Sequence, residues 1–164
     1  MAEKALDIYL NDHLAGATMG CELAEHLRDR TEGTPLGDRM ASLAAEIESD
    51  RQTLVDLADR LGTTSNPVKQ GTAWLAEKAS RVKFSAVTSG NPELGTFLAL
   101  ETLSLGVEGK ICLWWSLKAI ADDDAALART NFDELIERGE TQRRALEAER
   151  MEVGASVLRA GDGA

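Results

Sequence analysis

Hydrophobic residues recur at intervals of three and four positions along most of the chain. This spacing places them on one face of an α-helix, which has 3.6 residues per turn. No stretch shows the strict alternation that is typical of a half-buried β-strand. Proline, glycine and cap residues divide the pattern, which predicts four long helices and a shorter one, at about 3–30, 35–61, 67–84, 94–121 and from 124 or 131 to 158. We therefore expect an all-α fold.

The stretch 94–121 differs from the others because apolar side chains cover nearly its whole circumference. A helix of this kind is expected to be buried on most of its faces. Glu101 and Glu108 lie seven positions apart on one stripe of it. We expect both carboxylates to be buried, and hence paired, protonated or bound to a metal. Trp114 and Trp115 must point to different sides, so we expect one ring in the core and the other at the contact of a homodimer.

The connections between helices restrict the topology. Thr34-Pro35 and Asn91-Pro92 are typical helix starts, and Gly62 is a typical helix end. The short turn before Thr34 predicts that the first two helices form an antiparallel hairpin. The connection of about 30 residues before Asn91 is long enough to return the chain along the bundle, with its short fifth helix inside this crossover. The alternative is a plain up-down bundle with an additional helix.

The helix order and lengths resemble those of the ferritin-like superfamily over nearly the whole chain. The stretches His13-Leu-Ala-Gly-Ala, Thr34-Pro-Leu-Gly and Leu105-Gly-Val-Glu-Gly-Lys also resemble a group of uncharacterised bacterial proteins of this fold. The resemblance implies a ferritin-like four-helix bundle and implies little about activity. Members with a di-iron centre carry one Glu on the first and third helices and Glu-x-x-His on the second and fourth.

This chain departs from that pattern. Glu22 and Glu101 match the single glutamates. The second helix offers Glu46 and Glu48, but Ser49 and Arg51 stand three residues after them, where a histidine is required. On the fourth helix, Arg143 stands three residues after Glu140. Both Glu-x-x-His motifs are therefore absent, and an arginine cannot ligate a metal.

Three interpretations of the remaining polar residues stay open. The first is an atypical iron or manganese site, for which carboxylate and imidazole donors are suited. The second is a structural polar layer without a cofactor, in which Arg143 neutralises Glu101 and in which His13 is hydrogen-bonded to Asp50 or Glu108. The third is that several of these side chains simply face water. We favour the structural layer. The candidate residues for the layer or the metal site are His13, Glu22, Glu46, Asp50, Glu101 and Glu108.

Composition limits the classes of binding partner and the cellular compartment that we expect. The 164 residues suit one domain, over 1–160 with a tail at 161–164, and 28 acidic against 18 basic residues give a net charge of −10. This charge argues against nucleic acid or an anionic membrane surface as a partner. No apolar run is long enough for a membrane span, and the first residues lack the features of a secretory signal. We expect Cys21 and Cys112 to be small buried residues with free thiols, in the reducing cytoplasm.

Three functional hypotheses follow. The first is a non-catalytic, dimeric bundle that acts as a binding or assembly module, and we favour it. The second is a metal-dependent oxidoreductase or metal-storage protein with a carboxylate-rich site. The third is a helical adaptor that binds its partner through the locally basic segment 69–83. No phosphate-binding loop, nucleophile elbow or Cys-x-x-Cys pair supports any other enzyme class.

Overall fold

The computed structural model describes residues 5–63 and 90–159. All of the regular structure in these two ranges is helical, as the pattern predicts. A single 3-10 turn, Ala121–Asp123, lies between the last two helices. The four α-helices are α1 (Ala5–Arg30), α2 (Pro35–Arg60), α3 (Pro92–Lys118) and α4 (Phe132–Arg159).

The helix ends form where the turn residues predict them. Thr34 caps α2, because its Oγ1 accepts a hydrogen bond from the backbone N–H of Gly37 at 3.1 Å. Asn91 caps α3, because its Oδ1 accepts from the N–H groups of Glu93 and Leu94 at 3.0 and 3.1 Å. Gly62 follows α2 with φ +70°, a conformation that costs a glycine little. Local chemistry therefore sets the starts of α2 and α3.

Helices α1 and α3 are neighbours that run in opposite directions. At the end of α1, Arg30 Nη2 donates to the backbone oxygen of Pro92 at 2.7 Å. Near the beginning of α1, the Tyr9 hydroxyl donates to Ser116 Oγ at 3.2 Å, close to the end of α3. The end of α1 thus lies beside the start of α3.

Helices α2 and α4 are also antiparallel. Arg39, at the start of α2, donates to Glu149 of α4 at 2.7 Å, and Arg60 at the end of α2 donates to Thr130 at 3.0 Å. Because α3 and α4 form an antiparallel hairpin, α2 and α3 run in the same direction. Thr63, bonded to Asp7 at the start of α1, therefore lies at the opposite end of the bundle from Asn91.

The predicted fifth helix and the path of the crossover fall in residues 64–89, outside the described residues. What the described part establishes is the relative direction of the four long helices. A connection between Thr63 and Gly90 has to join opposite ends of a bundle about 40 Å long.

Two apolar clusters form the interior. One is built from residues in the second half of α1 and the first half of α2, together with Leu100, Leu103 and Leu146. The other occupies the opposite end and contains Trp114, whose ring centroid lies 6.3 Å from that of Phe132. The buried polar residues Asp50 and Gln142 belong to neither cluster and lie at the level between them. The core is thus interrupted at mid-height by a polar layer.

Gly37 provides a test of the packing at the α1–α2 turn. A Cβ at this position would lie 2.2 Å from the backbone oxygen of Thr31, which cannot move independently of the turn. We expect Gly37→Ala to lower the free energy of unfolding by about 1–3 kcal/mol, measured by urea denaturation. The matched control is Gly20→Ala in α1, where a Cβ would meet nothing within 4 Å. This control should stabilise by about 0.5–1 kcal/mol, and a neutral Gly37→Ala would contradict the described turn.

Candidate functional site

Asp50 is the most deeply buried charged residue among those described, with 1% of its surface exposed. It occupies a position of the inward stripe of α2, between the buried Ile47 and Leu54. The heptad pattern carries this carboxylate into the core, where it loses its hydrating water. A carboxylate in that environment requires compensating charge and hydrogen bonds.

Two cationic side chains from different helices supply the compensation. Lys110 Nζ of α3 lies 2.5 Å from Asp50 Oδ2, and Arg138 Nη2 of α4 donates to Asp50 Oδ1. Gln142 of α4 adds a third donor, because its Nε2 lies 3.1 Å from Asp50 Oδ2. Charge-assisted bonds of this kind are among the stronger hydrogen bonds in proteins.

Gln142 extends this network to the protein surface. Its side-chain oxygen accepts a hydrogen bond from Lys110 Nζ, and its Nε2 donates to Glu46 Oε2 at 3.1 Å as well as to Asp50. Glu46 itself is exposed. We call these five residues, Glu46, Asp50, Lys110, Arg138 and Gln142, the polar layer. Its two carboxylates balance its two cations.

Burial and charge act in opposite directions on Lys110. Burial lowers the pKa of its ammonium group below the usual value, and the adjacent Asp50 carboxylate opposes this effect without cancelling it. Arg138 lowers it further by repulsion. The charged form of Lys110 therefore depends on the Asp50 carboxylate for its stabilisation.

Glu101 and Glu108, predicted to be buried, are exposed, and this prediction was wrong. Arg150 Nη1 lies 3.4 Å from Glu101, and Arg143 Nε lies 3.3 Å from Glu108. Leu105, on the same stripe of α3, is exposed too. The stripe therefore faces outward. The prediction failed because an apolar pattern around a whole helix does not reveal which side contacts the neighbouring helices.

The expected pairing of Glu101 with Arg143 was also wrong, by one heptad. It assumed a turn centred near Asp122, whereas α4 begins only at Phe132. The longer connection slides α4 by seven residues relative to α3, so Arg143 meets Glu108 instead. A shift of two full turns preserves the apolar faces, which is why the hydrophobic pattern cannot detect it.

His13 lies against an aromatic ring instead of the carboxylates proposed for it. Its ring centroid is 4.6 Å from that of Tyr9, in an edge-on arrangement. Burial lowers the pKa of His13, and the nearby Asp12 carboxylate partly offsets this effect. The proposed partners Asp50 and Glu108 are engaged with cations elsewhere. The remaining candidate, Glu22, is exposed on α1.

Of the six candidate residues, the described structure brings together only Glu46 and Asp50, which both bind Gln142. Within residues 5–63 and 90–159, no group of three or more His, Cys, Asp or Glu side chains is arranged to hold a metal ion. The cationic members of the layer, Lys110 and Arg138, were missed by the sequence analysis. A signal existed, because Lys110 lies on the inward stripe of α3 between the buried Val107 and Trp114.

The two cysteines have different environments. Both are free, and Cys21 is buried as expected. Burial, reinforced by a hydrogen bond to Glu48, raises the pKa of the Cys21 thiol to about 12. Cys112 is exposed on the outward stripe of α3, contrary to the prediction.

The prediction that one tryptophan ring lies in the core is confirmed, because Trp114 is 1% exposed, whereas Trp115 is 51% exposed.

Comparisons with protein-family models, curated proteins and solved structures give no match for this chain. In the described part, no helix combines the length and the apolar character that crossing a membrane requires.

The polar layer predicts a large effect of removing Asp50. Asp50→Ala removes the carboxylate that Lys110 and Arg138 share and leaves these half-buried cations with Glu46 as the remaining carboxylate of the layer, so we expect a loss of about 1–3 kcal/mol in the free energy of unfolding. Urea denaturation monitored by circular dichroism measures it. Asp56→Ala is the matched control, since Asp56 lies exposed on the same helix and binds Gln52 at 2.7 Å. Equal effects of the two substitutions would contradict the assignment.

Proposed function

We propose that this chain is a non-catalytic helical bundle of ferritin-like topology, which acts as a binding or assembly module. The observation that carries the proposal is the engagement of Asp50 by Lys110 and Arg138 at mid-height of the bundle. In di-iron proteins of ferritin-like topology, carboxylates project into the bundle core to bind the metals. In this chain the buried carboxylate is bound by cationic side chains of the protein itself.

The directions of the helices support a ferritin-like topology. Two antiparallel hairpins, α1–α2 and α3–α4, pack so that α2 and α3 run in the same direction. A single long connection between the second and third helices is the feature that distinguishes ferritin-like folds from up-down bundles. The placement of Thr63 and Asn91 at opposite ends is what such a connection requires.

The chemistry of the layer supports a structural role over metal binding. The ammonium of Lys110 and the guanidinium of Arg138 have no lone pairs to offer a metal ion. A divalent cation about 4 Å from either one would be repelled by roughly 8 kcal/mol at the effective dielectric constant of protein sites. The carboxylate that would attract the ion is already neutralised. Two free cysteines support a cytoplasmic, reducing location as part of the same proposal.

Metal analysis tests the proposal directly. Protein purified without chelator and then incubated with Fe²⁺ or Mn²⁺ should hold less than about 0.1 equivalent of either metal after desalting, measured by inductively coupled plasma mass spectrometry. Occupancy near one or two equivalents would favour the alternative, a metal-dependent oxidoreductase or storage protein. Asp50→Ala serves as the matched variant, because a metal bound at the layer would be lost with this carboxylate, whereas an adventitious surface metal would remain.

A further inference from the structure

The outer side of the α3–α4 hairpin carries large apolar side chains in contact with solvent. Four of the six large hydrophobic residues that are exposed in the described part lie on these two helices. Their exposed fractions range from 51% to 65%, which is high for side chains of this size. The four residues are Leu105, Trp115, Met151 and Leu158.

Contacts between the two helices place these residues on a common surface. Leu105 lines a groove between α3 and α4 together with Glu101 and Arg150. Arg150 in turn lies 3.4 Å from the sulfur atom of Met151. Leu158 follows Met151 by two helical turns and therefore shares its stripe.

Trp115 continues the surface towards the other end of the hairpin. The ammonium of Lys118 lies 5.1 Å from the centroid of the Trp115 ring and 2.5 Å from Asp133 of α4, so Trp115 lies on the α4 side of α3. We call this surface, defined by Leu105, Trp115, Met151 and Leu158, the α3–α4 face. It extends over roughly 30 Å along the bundle.

Charge on the α3–α4 face is nearly balanced, in contrast to the rest of the chain. Four glutamates and three arginines are paired with one another along it, whereas the whole chain carries −10. Two copies of a chain with this net charge repel each other over most approaches. At the α3–α4 face the ion pairs remove most of that repulsion, and apolar side chains lie beside them. The ion pairs are Glu101–Arg150, Glu147–Arg150, Glu108–Arg143 and Glu140–Arg144.

We propose that the α3–α4 face binds a second copy of this chain in a two-fold symmetric dimer. The inference rests on the proposed assembly role and names its partner and its surface. The balance of charge fits a second copy, whose matching face is equally balanced, whereas a strongly basic or acidic partner would find few unpaired charges there. A face made of two long helices is also large enough for the roughly 800 Å² per partner that stable dimers bury. Trp115 belongs to the residue type most enriched in binding hot spots.

Sedimentation equilibrium of the purified full-length chain tests the proposal. The wild type should be a dimer in the micromolar range. Leu105→Glu and Met151→Glu should each raise the dissociation constant by about tenfold or more, because a carboxylate would lose its hydrating water and an apolar contact would be lost at the interface. Ile8→Glu is the matched control, since Ile8 is 46% exposed on α1, a helix outside the α3–α4 hairpin, and its substitution should leave the dissociation constant unchanged. Circular dichroism establishes that each variant is folded.

A second measurement does not depend on the folding of any variant. Cys112 follows Leu105 by two turns on the outward stripe of α3, and Cys21 is buried. Alkylation of Cys112 in the wild type should slow as the protein concentration rises through the dissociation constant. A rate that is independent of concentration would contradict burial of this face in a dimer.

A monomer at all concentrations overturns the proposal. The outcome is distinguishable from that of the proposed function. A dimer that binds metal would support the interface and contradict the non-catalytic role. A metal-free monomer would contradict the interface and support the non-catalytic role.

Discussion

A carboxylate that is buried away from water requires positive charge beside it, and Asp50 imposes this requirement on the helices packed around it. The residue lies between two apolar clusters and binds Lys110 of α3 and Arg138 of α4. Because its partners come from two other helices, sliding either helix by one heptad would leave a buried charge unpaired. The apolar clusters tolerate such a shift, and the polar layer does not. A single polar layer can thus specify the register of a bundle at some cost in stability.

The same requirement limits the chemistry of the interior. A metal centre needs carboxylates or imidazoles with available lone pairs, and the cations of the layer occupy those of Asp50. The ion pairs of the α3–α4 hairpin, by contrast, lie at the surface, where each is worth little to stability. Their effect there is to balance charge around exposed apolar side chains. In the proposed function, the surface of the bundle is therefore the part that binds another protein.

The elements of the fold were predictable because their signals are local. Thr34, Gly62 and Asn91 set helix ends through hydrogen bonds to residues within one turn, and the turns were placed correctly from them. The burial of Asp50 was also readable from its position on an apolar stripe. These features depend only on neighbours in the sequence or on one helical face.

The composition of the site was not predictable from the same signals. The partners of Asp50 depend on the register of α3 and α4, which the long connection before Phe132 displaced by two turns from the expected one. The exposure of Glu101 depends on which side of α3 meets its neighbours, and a helix that is apolar all round gives no indication of it. Lys110 could have been found as a polar break in the inward stripe, but a lysine is rarely buried unless it is paired. Such information lies in contacts between helices.

The central claim is that Asp50 and Arg138 stabilise each other in the interior, and a double-mutant cycle measures this interaction most directly. The free energies of unfolding of the wild type, Asp50→Leu, Arg138→Met and the double variant give the coupling between the two side chains. The claim predicts a coupling energy of about 1–3 kcal/mol, with the double variant less destabilised than the sum of the single ones. Additive effects within about 0.5 kcal/mol would contradict it.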